Sequence, residues 1–379
     1  MRNKPRVVIV SSYGNPLAIN VWLKYFFKFW HDVVDEVYIV AGGNRNYLLD
    51  TVIDSNTKLC EYYNQKLNSN KCHFIYKHDE LDGGCVTVST HAHLLYNGTK
   101  EVAKKHNDAT LLYIDDDIYV KDKNIIEEYF NKVETNVCAY AGQICNREQF
   151  DEKTHILGWF VFCDLRTTMW LNEQYNLAIK DHYKNIDTKT DYIVRDNYYR
   201  CKSEIGNMFG AMRYFGPLEF KFCNYTRNYE QVDEVFWLFS KFLRLHYGVD
   251  KELVIPNDIW AMIYFHTHIP FEDQVDQYKN KKMYHISGNY QQHHFLYSNF
   301  YQDYELLDQM NIIENHNIKL LLLLHLCLKC WDLHNIVDDG GIYTNIKNYL
   351  DHVYLLSGLP ELLSKKNVDR LSELILEDL

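Results

Sequence analysis

The chain has 379 residues, of which 47% are hydrophobic and 24% are charged, and its formal net charge is -11. This length is sufficient for two domains, and the composition is that of an ordinary globular protein. The negative net charge argues against strong general binding to nucleic acid or to an anionic membrane surface.

Neither end of the sequence suggests a targeting or membrane segment. The apolar run at residues 7–10 is too short for a signal peptide, and the longest apolar run, near residues 320–328, is too short to span a bilayer. The ten cysteines are scattered, which is typical of reduced thiols rather than of a disulfide framework. We therefore expect a cytoplasmic protein with no signal peptide and no membrane span.

Apolar, β-branched segments alternate with helical segments over roughly the first 120 residues. Strands are predicted at 7–11, 36–41, 73–76 and 110–114, and helices at 17–30, 47–67 and from 83–84 to about 105. This alternation predicts an α/β fold with a mostly parallel sheet flanked by helices. In such sheets, ligands bind at the carboxyl ends of the strands.

The second half of the sequence has a different pattern. Short aromatic segments between residues 139 and 222 suggest further strands, residues 233–247 suggest a helix, and the chain from about residue 304 is Leu-rich and helical. We predict an α/β domain over 1–303 and a smaller helical C-terminal domain over 304–379. The helical domain is a candidate for homo-oligomer contacts or for recognition of a partner.

Three consecutive aspartates, Asp115, Asp116 and Asp117, follow the fourth predicted strand. Like charges this close repel one another, and a bound divalent cation removes that cost. Mg2+ and Mn2+ prefer carboxylate oxygens together with the phosphate oxygens of a substrate. The alternative is a solvated turn, with Asp122 capping a helix that begins near Asn124.

The apolar strand and its aspartates resemble the hhhhDxD motif of the GT-A glycosyltransferases, and the resemblance extends over roughly residues 6–290. It implies a Rossmann-like GT-A fold, with a nucleotide-binding half at about 1–135 and an acceptor half at 136–303. It further implies Mn2+ or Mg2+ and a nucleoside-diphosphate sugar as donor, of which UDP-hexoses are the commonest. The acceptor is left open between a glycan, a protein and a modified base.

The resemblance also implies roles for single residues. Asp117 would ligate the metal, Asp115 would contact the ribose or donor sugar and assist at the metal, and Asp116 would support the loop or touch the sugar. The turn residues implied to contact the nucleotide are Ser11, Tyr13, Asn15, Asp79 and Gly84.

A general base is expected on the acceptor side of the fold. Asp233 and Glu234 open a predicted helix, where the resemblance implies an acid that deprotonates the acceptor hydroxyl in an inverting reaction. In a retaining enzyme they would only position the substrate. Acidic residues also favour the first turn of any helix, which is the alternative explanation.

A histidine from the later part of the chain completes the metal site in many GT-A enzymes. The His266-Thr267-His268 sequence places two imidazoles on one side of an extended strand, and His285 and the pair at 293–294 are rivals. Because the chain has 18 histidines, any one of them is more often structural than a ligand. We favour His268 slightly over His266 and His285.

Three other function classes compete with glycosyl transfer. A sugar-phosphate nucleotidyltransferase usually carries a Gly-rich basic turn after its first strand, which residues 11–16 lack. A metal-dependent hydrolase usually has an aspartate nucleophile there, where this chain has Ser11 and Ser12. A non-catalytic module that binds nucleotide-sugars or glycans would show no turnover and no need for a divalent ion.

Overall fold

A computed structural model describes the chain over residues 4–12, 15–42, 49–77, 88–135, 137–138, 140–146, 154–166, 168–169, 252–263, 268–286, 318–332, 342–356, 358–377 and 379. The strands are β1 Arg6–Ser12, β2 Glu36–Ala41, β3 Cys72–Tyr76, β4 Thr110–Asp115, β5 Ile118–Val120, β6 Tyr140–Asn146, β7 Thr154–Asp164, β8 Glu252–Val254, β9 Trp260–Met262 and β10 Met283–His285. The α-helices are α1 Pro16–Tyr25, α2 Leu49–Lys66, α3 Val88–Lys105, α4 Lys123–Glu134, α5 Phe271–Tyr278, α6 Ile318–Lys329, α7 Ile342–Leu355 and α8 Lys365–Leu376.

The described residues form a seven-stranded sheet in the order β3-β2-β1-β4-β7-β6-β8. β3, β2, β1 and β4 run parallel, whereas β7 is antiparallel to both β4 and β6. All of β1 is buried, as is β4 up to its last residue, because helices cover the sheet. The mostly parallel α/β architecture predicted from the sequence is therefore confirmed.

The helices begin where the sequence supplies a cap. Asn15 accepts a hydrogen bond from the Leu17 amide at 3.0 Å, and Pro16 occupies the first turn of α1. Asp122 caps α4 in the same way, since its carboxylate accepts from the Asn124 amide at 2.9 Å. The predicted cap at Asp122 is confirmed.

Helix α3 approaches the sheet closely at Gly98. A Cβ atom built at this position would lie 2.5 Å from Ile9 Cγ2 on β1 and 3.0 Å from Val40 Cγ2 on β2, so a larger residue would push the helix outward. The flanking Asn97 and Thr99 match a glycosylation sequon, but they are only 5% and 0% exposed. This sequon faces the protein interior.

A second, three-stranded sheet lies directly after the aspartates, in the order β5-β10-β9. β10 pairs antiparallel with β5, with Tyr284 opposite Tyr119 and His285 opposite Ile118. Ile118, Tyr119 and Val120 are fully buried. The short strand β5 therefore joins the aspartates to a segment far away in the sequence.

The C-terminal helices pack on the α/β region. Leucines of α6 share one hydrophobic core with α1 and β5. The Asn20 side chain donates to the Cys330 carbonyl at 2.9 Å, Lys24 pairs with Asp332 at 3.0 Å, and the Tyr25 hydroxyl donates to the Ile375 carbonyl. The helical character predicted for this region is confirmed for α6–α8, while its division into a separate domain at residue 304 stays a prediction.

The described helices include none that combines the length and the apolar character required to cross a membrane. The most apolar of them, α6, has 12 residues and buries its leucines against α1 and α8. Its hydrophobicity is therefore explained by packing within the protein.

A buried histidine lies between α6, α7 and α8. His325 Nε2 is 2.8 Å from the Tyr354 hydroxyl, and Nδ1 is 3.4 Å from Asp369 Oδ1. Burial lowers the pKa of His325 to about 4, against the opposing effect of the Asp369 charge, and Lys365 and Lys329 lower it further by smaller amounts. The imidazole is therefore neutral at pH 7.

We predict that the neutral His325 makes the stability of the fold dependent on pH. Between the ordinary value of 6.5 and about 4, the unfolded chain binds a proton that the folded chain does not. The contribution is therefore complete above pH 6.5 and is lost as the pH falls to 4, by about 3 kcal/mol. Urea unfolding of the wild type and of His325→Gln between pH 4 and 7 measures it, and parallel curves would contradict the prediction.

Candidate active site

The candidate site is the turn between β4 and β5, at the carboxyl end of the sheet. β4 carries four apolar residues in the interior and delivers Asp115 to its end, where the side chain is partly exposed. Asp116 and Asp117 form the turn and are 3% and 7% exposed. Two of the three carboxylates are thus drawn into the protein, which is unlike a solvated surface turn.

Two serines at the end of β1 donate hydrogen bonds to the first two aspartates. The parallel register places Ser11 opposite Asp115, and the Ser11 hydroxyl donates to Asp115 Oδ1. The Ser12 hydroxyl donates to Asp116 Oδ2 at 2.5 Å. A hydroxyl donor compensates part of the cost of burying a carboxylate. The fold itself therefore stabilises Asp115 and Asp116.

Asp117 has a different environment, since its neighbour is the His285 imidazole. Asp117 Oδ1 lies 3.3 Å from His285 Nε2, and the side chains are 10% and 2% exposed. The Ile286 amide donates to the Asp117 carbonyl at 3.0 Å, which holds the two chain segments in register. Among the described residues, no donor is oriented to form a hydrogen bond with the buried Asp117 Oδ1 atom.

A positive charge on α6 also acts on Asp117. Lys319 is partly buried, between the buried Ile318 and Leu320. Burial lowers the pKa of Lys319, and the negative charge of Asp117 acts in the opposite direction and raises it. The Leu-rich helix therefore brings a cation into the electrostatic range of the turn.

The Asp117 and His285 pair fits a hard divalent cation. A carboxylate oxygen and an imidazole nitrogen are both ligands that Mn2+ accepts, and no donor on the residues that the structure describes forms a hydrogen bond with the buried Asp117 Oδ1 atom. No set of three or more His, Cys, Asp or Glu side chains within the described part of the chain is arranged around a metal position. Mg2+ and Mn2+ sites commonly use one or two protein ligands and complete the shell with substrate phosphate and water.

The structure describes only some of the other predicted site residues. Asn15 is fully buried and caps α1, whereas His268 is exposed in the turn before α5. The histidine that the structure places against Asp117 is His285, so the choice of His268 stays an unsupported prediction. The predicted residues outside the described ranges are Tyr13, Asp79, Gly84, Asp233 and Glu234.

Sequence reasoning did not single out Ser12 or Lys319. Ser12 is the last residue of β1, which pairs with β4, and a hydroxyl at that strand end is the available signal for a partner of Asp116. Lys319 is the one cation within the apolar run at 318–328, where an isolated charge next to buried leucines indicates a partner of opposite sign.

No protein-family model matches the sequence, and the comparison with curated proteins gives no match. Among solved structures, the apo structure of the WbbM bifunctional glycosyltransferase aligns with 75% of this chain at 9% identity and a TM-score of 0.37. This alignment covers 46% of the WbbM chain, so the chain spans about half of that protein's length. Mouse xyloside xylosyltransferase 1, in its apo form, aligns with 74% of this chain and 97% of its own at 10% identity and a TM-score of 0.33.

We predict that Ser12→Ala destabilises the fold more than Ser11→Ala does. The Ser12 hydroxyl donates to the buried Asp116, so removing it should lower the free energy of unfolding by about 1–3 kcal/mol. Water can replace the Ser11 hydroxyl at the partly exposed Asp115, so Ser11→Ala should lower it by less than about 1 kcal/mol. Urea denaturation of both variants and of the wild type measures the difference. Equal losses would show that burial does not distinguish the two aspartates.

Proposed function

We propose that the protein is a metal-dependent glycosyltransferase that moves a sugar from a nucleoside-diphosphate sugar to an acceptor hydroxyl. A UDP-sugar is the preferred donor of the proposal. The observation that carries it is the position of Asp117 and His285, whose buried side chains meet at the carboxyl end of β4 beside the partly exposed Asp115. In an α/β sheet this edge is where ligands bind.

Each described residue has a separate task in this proposal. Asp117 and His285 would hold the divalent ion, which when bound neutralises charge on the leaving nucleoside diphosphate. Asp115 would accept a hydrogen bond from a ribose or sugar hydroxyl, and Ser11 orients its carboxylate for that contact. Asp116 accepts a hydrogen bond from Ser12 and would stabilise the turn.

The proposal assigns the acceptor side to residues outside the described ranges. Asp233 or Glu234 would take the proton of the acceptor hydroxyl in an inverting reaction. The identity of the acceptor follows from residues of the 136–303 half, so a glycan, a protein and a modified base stay open. The stereochemical outcome rests on the same residues.

The proposal is tested by donor binding and turnover. The purified chain, mixed with UDP- or GDP-sugars and Mn2+, should release the free nucleoside diphosphate slowly from one of them and should melt at a higher temperature with it, whereas a CMP-sugar should have neither effect. Absence of both effects with every donor would reject the proposal. Nucleotide release that does not depend on Mn2+ would contradict the proposed role of a metal ion.

We predict that Asp117→Asn lowers Mn2+-dependent nucleotide affinity by at least tenfold, because it removes the charged ligand while keeping the shape of the side chain. His285→Gln should act in the same direction. Asp276→Asn is the matched control, since Asp276 is exposed on α5 and forms a salt bridge with Lys279. Titration calorimetry measures the affinities, and an unchanged value for Asp117→Asn would place the site elsewhere.

The charge of Lys319 provides a further test of the proposed donor site. Lys319→Met should weaken the binding of UDP about tenfold, because it removes a partly desolvated cation that interacts electrostatically with Asp117 in the proposed donor site, and Lys319→Arg should bind more tightly than Lys319→Met. Lys329→Met, at the other end of α6, is the control. Equal affinities of Lys319→Met and Lys329→Met for UDP would show that Lys319 does not contribute to donor binding.

A further inference from the structure

Two cysteines meet in the interior between α2 and β3, away from the aspartate turn. The Sγ atoms of Cys60 and Cys72 are 3.1 Å apart, and the Cys72 thiol donates a hydrogen bond to the Cys60 sulfur. Both residues are free thiols, and they are 4% and 3% exposed. An S–S bond is about 2.05 Å long, so a movement of about 1 Å brings the two sulfurs to bonding distance.

The segment between the two cysteines is held by a side chain from α2. Asn64 donates from its amide nitrogen to the Cys72 carbonyl at 2.8 Å and accepts from the Cys72 amide at 3.0 Å. The connection turns at Asn68, which has a φ of 46°. These two hydrogen bonds hold the start of β3 against the last turns of α2, so the folded structure keeps the two thiols close together.

We propose that Cys60 and Cys72 are a site of reversible oxidation, at which a disulfide links α2 to β3. The oxidant is a peroxide small enough to enter the interior, such as hydrogen peroxide. The disulfide would close a short loop between neighbouring elements that already pack together, so it requires no rearrangement of the sheet. It stabilises the fold mainly by restricting the unfolded chain.

The hydrogen bond between the thiols defines the order of the chemical steps. The Cys72 thiol donates to the Cys60 sulfur, and this bond together with burial raises the pKa of Cys72, so Cys72 is the thiol that keeps its proton. The Cys60 thiolate attacks one oxygen of the peroxide, the O–O bond breaks, and a sulfenic acid and water form. The Cys72 sulfur then displaces a second water from that sulfenic acid, and a dithiol reductant reverses the reaction. Two thiols and one peroxide thus give one disulfide and two waters.

The test is a peptide map of the full chain treated with hydrogen peroxide in its native state. Free thiols are blocked with iodoacetamide in denaturant, without reductant, before digestion and mass spectrometry. We expect a linked peptide pair that contains Cys60 and Cys72, that has lost two hydrogen atoms and that separates on addition of dithiothreitol. The oxidised chain should melt several degrees higher than the reduced chain.

Variants identify the partners of the disulfide. Cys60→Ser and Cys72→Ser should each abolish the linked pair, and Cys138→Ser, a buried cysteine elsewhere in the fold, should retain it. The wild-type map decides the question even where a variant fails to fold. Full alkylation of Cys60 and Cys72 after treatment, oxidation of either only to a sulfinic acid, or a link only between other cysteines such as Cys327 and Cys330 would each overturn the proposal.

Discussion

Strand pairing on both sides of the aspartate turn is the constraint on which the site depends. β1 lies beside β4 with Ser11 opposite Asp115, and β10 lies beside β5 with His285 opposite Ile118. A slip of one residue in either pair would turn the aligned side chains to the other face of the sheet. The backbone hydrogen bonds between the paired strands therefore place the serine donors and the imidazole beside the carboxylates, and no ligand is needed for this arrangement.

The two kinds of partner give the three aspartates different properties. Asp115 and Asp116 each accept a hydrogen bond from a serine hydroxyl, which offsets part of the cost of placing a carboxylate at the edge of the interior. Asp117 faces a group that is itself able to bind a metal, and a lysine from a distant helix adds a positive field. The sequence alone suggested a single cluster that needs a cation, whereas the structure separates a supported pair from one carboxylate with a distinct environment.

The alternation in the first 120 residues was readable because β1, β2 and β4 are almost entirely buried and each break carries a Gly, Asn or Asp. The predicted strands at 36–41 and 110–114 agree with β2 and β4 to within one residue. The choice among the histidines could not be made from local sequence, for a physical reason. His268 and His285 both follow apolar segments, and only the pairing of β10 with β5 distinguishes them. Such pairing joins residues far apart in the chain, and local pattern does not encode it.

The hydrogen bonds that join α1 to the region of α6 and α8 have a consequence for folding during synthesis. Tyr25 on α1 donates to a carbonyl of α8, and Asn20 donates to a carbonyl just after α6. During synthesis α1 leaves the ribosome before α6 and α8 are made, so the apolar face of α1 stays uncovered until those helices emerge. The parallel strands β1 to β4 can pair early, but the helical layer next to α1 closes only after α8 emerges.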